Sequence, residues 1–128
     1  NDTLHTYALD RIVSLKKNDK AFKMPSNFSV SDFFSDCYGI IKDETPAQRI
    51  ILKADNFQAK YLKTLPLHDS QKIVSEDKNF TVFSYYLRPT FDFKQKVLSY
   101  MRNVEVLEPE AFRNDIKNEI ETIIKLYK

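Results

Sequence analysis

"QRIILKADNFQAKYLKTLP", residues 48–66, changes its hydrophobic pattern halfway along. The run QRIILKA is short, apolar and β-branched, as a buried strand should be. From Asp55 onward the apolar residues Phe57, Tyr61, Leu62 and Leu65 fall on one side of a helix, and Asp55 followed by Gln58 is a D-x-x-Q variant of a capping box. Pro66 closes that helix. A strand feeding a helix in this way opens a β-α unit, and the rest of the chain can be read against it.

Downstream, QKIVSED and NFTVFSYYLR are two strand-like runs joined by a polar turn around Asp77, Lys78 and Asn79, which predicts an antiparallel hairpin. Pro89 ends the second run. Asp92 and Gln95 repeat the D-x-x-Q signal ahead of FKQKVLSYM, with Phe93, Val97, Leu98, Tyr100 and Met101 at helical spacing, and VEVLE is a fourth strand. Residues 48–108 therefore spell β-α-β-β-α-β, the ferredoxin-like order. Right-handed crossovers put both helices on one face of an antiparallel sheet. After Pro109, the residues Phe112, Ile116, Ile120, Ile123, Ile124 and Tyr127 mark a long amphipathic helix over 111–128. The expected fold class is α+β: a ferredoxin-like β-α-β-β-α-β antiparallel sheet with an extra C-terminal helix, which either covers the open sheet face or packs across a two-fold axis.

Upstream, TYALDRIVSL alternates in a strand-like way but has no partner nearby, and suits the last strand of a preceding domain. A polar connection with Pro25 leads to SVSDFFSDCYG, a short helix that Ser29 or Ser31 caps and Gly39 ends. The expected organisation is residues 1–47 as the end of a preceding domain with linker and short helix, and 48–128 as the ferredoxin-like domain. A start at NDTLHTYALDRI without an initiator Met reads as a piece of something longer.

The 128 residues suffice for one ordinary domain, and 42% hydrophobic content with ten Phe and seven Tyr is too apolar for disorder. No apolar run approaches the ~20 residues of a membrane helix. The net charge of +2 says little about partners; residues 1–47 hold six basic and seven acidic side chains, and 48–128 hold fourteen and eleven. One Cys (Cys37) excludes an internal disulfide and fits a reducing, cytoplasmic setting, and no signal peptide precedes the first strand-like residues. One Cys and two His at no ligand spacing argue against a metal, and a single Gly cannot build a phosphate-cradling loop, so no cofactor is expected.

LPLHDSQ, residues 65–71, places His68, Asp69 and Ser70 side by side, the three side chains of a serine hydrolase. Sequence neighbours point apart in helices and strands, whereas a triad converges from separate segments. The motif is better read as a helix-to-strand connection in which His68 and Ser70 tie down backbone groups. No catalysis is expected.

Taken together, TYALDRI, LPLHDSQ and RPTFDFKQKVLSYMRNVEVLEPEAFR resemble the C-terminal part of bacterial WYL-domain transcriptional regulators over nearly the full chain. The resemblance makes TYALDRI the closing strand of an Sm-like barrel and the remainder its C-terminal extension. The family usually has Gly where Met101 stands, and the Trp-Tyr-Leu core itself is absent, since the chain has no Trp. The implied role is an effector-sensing, dimer-forming segment of a cytoplasmic regulator that meets DNA through an N-terminal domain outside this chain. A nucleotide or single-stranded nucleic acid is the implied effector. Arg11 matches a basic position of the family's barrel, His68, Ser70 and Gln71 match its H-x-S-Q element, and Arg88 at the end of the third strand suits a phosphate or covers the sheet edge. Candidate effector contacts are thus Arg11, His68, Gln71 and Arg88; candidate dimer contacts are Ile116, Ile120, Ile123 and Ile124. Arg113 calls for an acidic partner, from Glu108, Glu110 or another chain, and Glu110 three residues before it favours a local salt bridge over a ligand. The rival reading is a stand-alone RNA-binding module of the RNA-recognition fold, because KNFTVFSY partly overlaps that fold's aromatic strand motif.

Overall fold

The computed structural model describes residues 4–128. A short helix α1 (Val30–Phe33) precedes strand β1 (Gln48–Asp55) and helix α2 (Asn56–Thr64). Strands β2 (Lys72–Glu76) and β3 (Phe80–Leu87), helix α3 (Phe91–Ser99), strand β4 (Val104–Glu108) and helix α4 (Glu110–Leu126) follow. The sheet is antiparallel in the order β2-β3-β1-β4, so the α+β, ferredoxin-like arrangement is observed. Asp55 caps α2 by accepting the Gln58 N–H at 2.9 Å, and Ser29 caps α1 by accepting that of Asp32 at 3.2 Å.

The strand period decides which side chains enter the core. Ile50, Leu52 and Ala54 lie opposite Tyr85, Phe83 and Thr81, and all six are buried beneath the helices. Their neighbours Arg49, Phe80 and Tyr86 point to the other sheet face and stay exposed. The hairpin closes where Asp77 Oδ1 accepts the N–H groups of Asn79 and Phe80.

Phe93 of α3 joins the layers. It is fully buried and stacks on Phe112 of α4 with centroids 5.7 Å apart; Tyr38 meets it edge-on at 5.6 Å, and Tyr85 of β3 packs against it at 6.4 Å. Through Phe112 and Ile116, α4 docks beside α3 and β4 in the helix layer. Lys94 of α3 binds it further, reaching Asp115 at 2.8 Å and Glu119 at 3.2 Å. The helix therefore does not cover the open sheet face, one of the two placements expected.

Four other expectations change. Residues 7–15 form no strand: a 3-10 turn at Leu9–Arg11 interrupts an exposed segment, because a strand has no stability without a pairing partner. Phe57, Tyr61 and Leu65 do not enter the core, since Ala59 and Leu62 occupy the buried side of α2. Asp92 sits inside the first turn of α3 rather than capping it, bonded to the Thr90 hydroxyl at 2.5 Å; Thr90 holds the cap position. Gly39 ends no helix, α1 having stopped at Phe33; it leaves room for the Asp92 carboxylate.

Met101, just past α3, has a φ of 51°, the left-handed region in which a side chain costs about 1–2 kcal/mol. Its side chain is 77% exposed, so little packing offsets that cost. Met101→Gly should raise stability by about 0.5–1 kcal/mol after the extra chain entropy of glycine is counted. The urea midpoint reads this directly; an unchanged or lower value would mean that Met101 contributes packing that its exposure does not suggest.

Candidate functional site

The connection 65–71 bends so that His68 and Ser70, two residues apart, come together after all. The ring Nε2 lies 2.8 Å from the Ser35 carbonyl, which can only accept, so the proton is on Nε2. Nδ1 then accepts from the Ser70 hydroxyl at 2.7 Å and from the Ser70 N–H at 3.1 Å. Ser70 Oγ in turn accepts the Tyr86 N–H at 2.9 Å. Both ends of this hydroxyl–imidazole pair are thus held by backbone, and Asp69 is exposed with no hydrogen bond to the ring. The arrangement ties α1's trailing loop to β3, as the motif suggested.

Gln71 completes the junction. Its amide N donates to the Leu62 carbonyl at 2.8 Å, while its amide O accepts from the Leu67 N–H at 3.1 Å and from the Tyr85 hydroxyl at 2.7 Å. Burial, with Tyr100 adding, holds the Tyr85 phenol well above its ordinary range, so it remains a donor. The Tyr100 phenol is likewise pushed up to about 12 by burial and by Tyr38.

Arg88 lies on the other side of this loop. Its Nε donates to Asp36 at 2.9 Å and Nη1 to the Thr45 carbonyl at 2.7 Å. Lys42 reaches the same carboxylate at 3.8 Å, bonds the Phe33 carbonyl and lies 4.1 Å over the Phe33 ring. Partial burial pushes the Asp36 carboxyl up, but the hydrogen bond and charge of Arg88, with Lys42, outweigh it and leave the carboxyl below its ordinary value. Cys37 beside it is buried, and burial and Asp36 push its thiol up, away from reactivity. Where the sequence suits Arg88 to a phosphate or the sheet edge, the fold brings it Asp36 from 52 residues away, a partner that no spacing signal discloses.

The structure therefore gathers His68, Gln71 and Arg88 around one junction, the loop after α1 meeting the end of β3. Arg11 lies apart in the exposed N-terminal segment, and its side chain makes no hydrogen bond or ion pair among the described residues. Of the helix residues, Ile116 is buried in the protein's own core, whereas Ile120, Ile123 and Ile124 remain 44%, 39% and 53% exposed. They line a groove with Leu98, Met101 and Val104. Arg113 pairs with Glu105 of β4 at 2.8 Å and also bonds the Val106 carbonyl, so neither Glu108 nor Glu110 is its partner. Among the described residues no cluster of His, Cys, Asp and Glu could hold a metal, and no helix is long and apolar enough to cross a membrane.

A model of the WCX domain matches residues 46–124, which takes in the sheet, α2, α3 and most of α4. The chain belongs to the WCX domain family. WCX domains are found in WYL-type regulators. No curated protein matches the chain. The junction described above holds Ser35 and Asp36, upstream of the matched residues, onto the WCX domain.

Three substitutions test the junction. Gln71→Leu strands the Tyr85 hydroxyl and the Leu62 carbonyl, and each orphaned group costs about 1–3 kcal/mol, so thermal and urea unfolding should both shift down markedly; His68→Ala should cost less, roughly 0.5–1.5 kcal/mol. Because the Asp36 carboxyl is lowered on folding, its contribution is present above the unfolded value near 3.8 and is lost as the pH falls through the lower folded value. Asp36→Asn should flatten the loss of stability as the pH falls below about 4; an identical slope for both proteins there would show that the ion pair contributes nothing.

Proposed function

We propose that this chain is the regulatory part of a bacterial, cytoplasmic transcription regulator, a segment that senses an effector, forms a homodimer and performs no catalysis. DNA would be met by an N-terminal domain outside the chain. Membership of the WCX family, whose domains occur in WYL-type regulators, is the observation that carries this reading. Residues 1–47 would then close a preceding barrel and link it to residues 48–128. A nucleotide or single-stranded nucleic acid is the effector class proposed. Arg11, His68, Gln71 and Arg88 remain the proposed contacts, with the junction at 65–71 relaying effector binding to the sheet.

The dimer is supported by α4. Its exposed isoleucines form an aliphatic groove with Met101, and its charges are mixed, Lys117 lying near Glu121 at 3.9 Å. An aliphatic surface with both signs of charge suits a second copy of itself related by a two-fold axis. Each half-exposed isoleucine would gain roughly 1 kcal/mol by burial, before association costs. The RNA-module reading is the weaker one: the open sheet face carries Phe80 and Tyr86, but Lys53 sits 4.2 Å over the Phe80 ring, and β1 supplies no aromatic.

Light scattering across a dilution series tests the dimer. The chain should be dimeric at high concentration, and Ile124→Asp should render it monomeric with an unchanged circular dichroism spectrum, since that side chain lies outside the core. A wild-type monomer at every concentration overturns the proposal.

A further inference from the structure

The helix layer has a second groove, between α2 and α3, whose chemistry differs from that beside α4. Phe57 and Tyr61 stand on successive turns of α2, Leu65 caps its C-terminal end, and the three are 63%, 57% and 79% exposed. Phe57 and Tyr61 meet edge-on with centroids 5.4 Å apart, which fixes both rings on the outer surface. Across the groove Tyr100 forms the opposite wall, with the Lys96 ammonium 5.2 Å from its ring. Soluble domains rarely leave contiguous aromatic surface of this kind without a use for it.

Charge decides what the groove accepts. Its lining includes Lys96 and no carboxylate, and α2 adds Lys60 and Lys63 without any acidic residue of its own. Glu76 is already bound to Lys63 at 2.6 Å, and Asp55 is taken by the helix cap and by Asn103 at 2.6 Å. A second copy docking through α4 would bring four carboxylates and three cations, and with Asp115 and Glu119 already bound to Lys94 and Glu121 beside Lys117 it has few free carboxylates to offer here. We propose that the α2–α3 groove is a docking site for an acidic amphipathic helix of a protein partner, whose apolar stripe lies on Phe57, Tyr61 and Leu65 while its carboxylates meet Lys60 and Lys96. Two helices side by side present a furrow into which a third helix packs, and its anchors at helical spacing match the spacing of the aromatic wall. This groove and the one beside α4 share no lining residue.

The experiment uses the 15N-labelled chain and two designed amphipathic helical peptides with the same leucine stripe, one with glutamates on its polar face and one with lysines. The acidic peptide should shift the amide signals of Phe57, Tyr61, Leu65 and Tyr100, and Tyr61→Ser or Lys96→Glu should weaken it at least about tenfold. Both side chains are outside the core, and matched unfolding midpoints confirm that the variants remain folded. The lysine peptide should produce no shifts, and Ile124→Asp should leave the acidic peptide's binding unchanged. Equal binding of the two peptides, shifts confined to α4, or tighter occupancy of the same residues by a single-stranded oligonucleotide or by anionic lipid vesicles overturns the proposal.

Discussion

Phe93 is the contact on which the remaining architecture depends. A ferredoxin-like sheet with two helices has no intrinsic place for a third, and the Phe112–Phe93 stack is the apolar centre of the contacts that seat α4, with Ile116, the Lys94 ion pairs and the bonds of Arg113 to β4 around it. The same ring receives Tyr38 from the loop after α1 and Tyr85 from the sheet. Three segments distant in sequence thus meet on one side chain, and shape complementarity around a rigid ring costs little conformational entropy. Loss of Phe93 would therefore loosen α4 and the 35–45 loop together.

Arranged around that centre are two kinds of constraint. The apolar constraint orders the helix layer; the polar one orders the junction where His68, Ser70, Gln71 and Arg88 each satisfy a backbone or buried group. Every one of these bonds crosses between segments that hydrophobic packing alone would leave free to slide. The polar junction supplies register, and the aromatic cluster supplies most of the cohesion.

Much of this was readable in the residues because it depends on local pattern. The hairpin at Asp77–Asn79, the cap at Asp55 and the β-α-β-β-α-β order follow from period and turn chemistry, and the H-x-S-Q motif carried its structural role in its spacing. What escaped was set by the tertiary environment. Phe57 and Tyr61 look like core residues until Ala59 and Leu62, one step round the helix, are seen to face the sheet. Phe112 carries no mark that distinguishes its partner Phe93 from the eight other phenylalanines. Arg88 and Asp36 are joined only by the fold, and Arg113 reaches Glu105 because α4 runs back along β4.

The same return of α4 gives the sheet unequal borders. Along β4, Arg113 occupies the Val106 carbonyl and α4 packs against the strand, so that margin offers fewer free groups to another strand. Along β2 every residue is exposed, and only the bulge between Ile73 and Ser75, with Lys72 and Glu76 at its ends, interrupts a flat hydrogen-bonding template. A bulged, charged margin is poor at recruiting strands. Uncontrolled growth by strand addition, if the protein is stressed, thus meets a helix-flanked margin on one side and an irregular, charged one on the other.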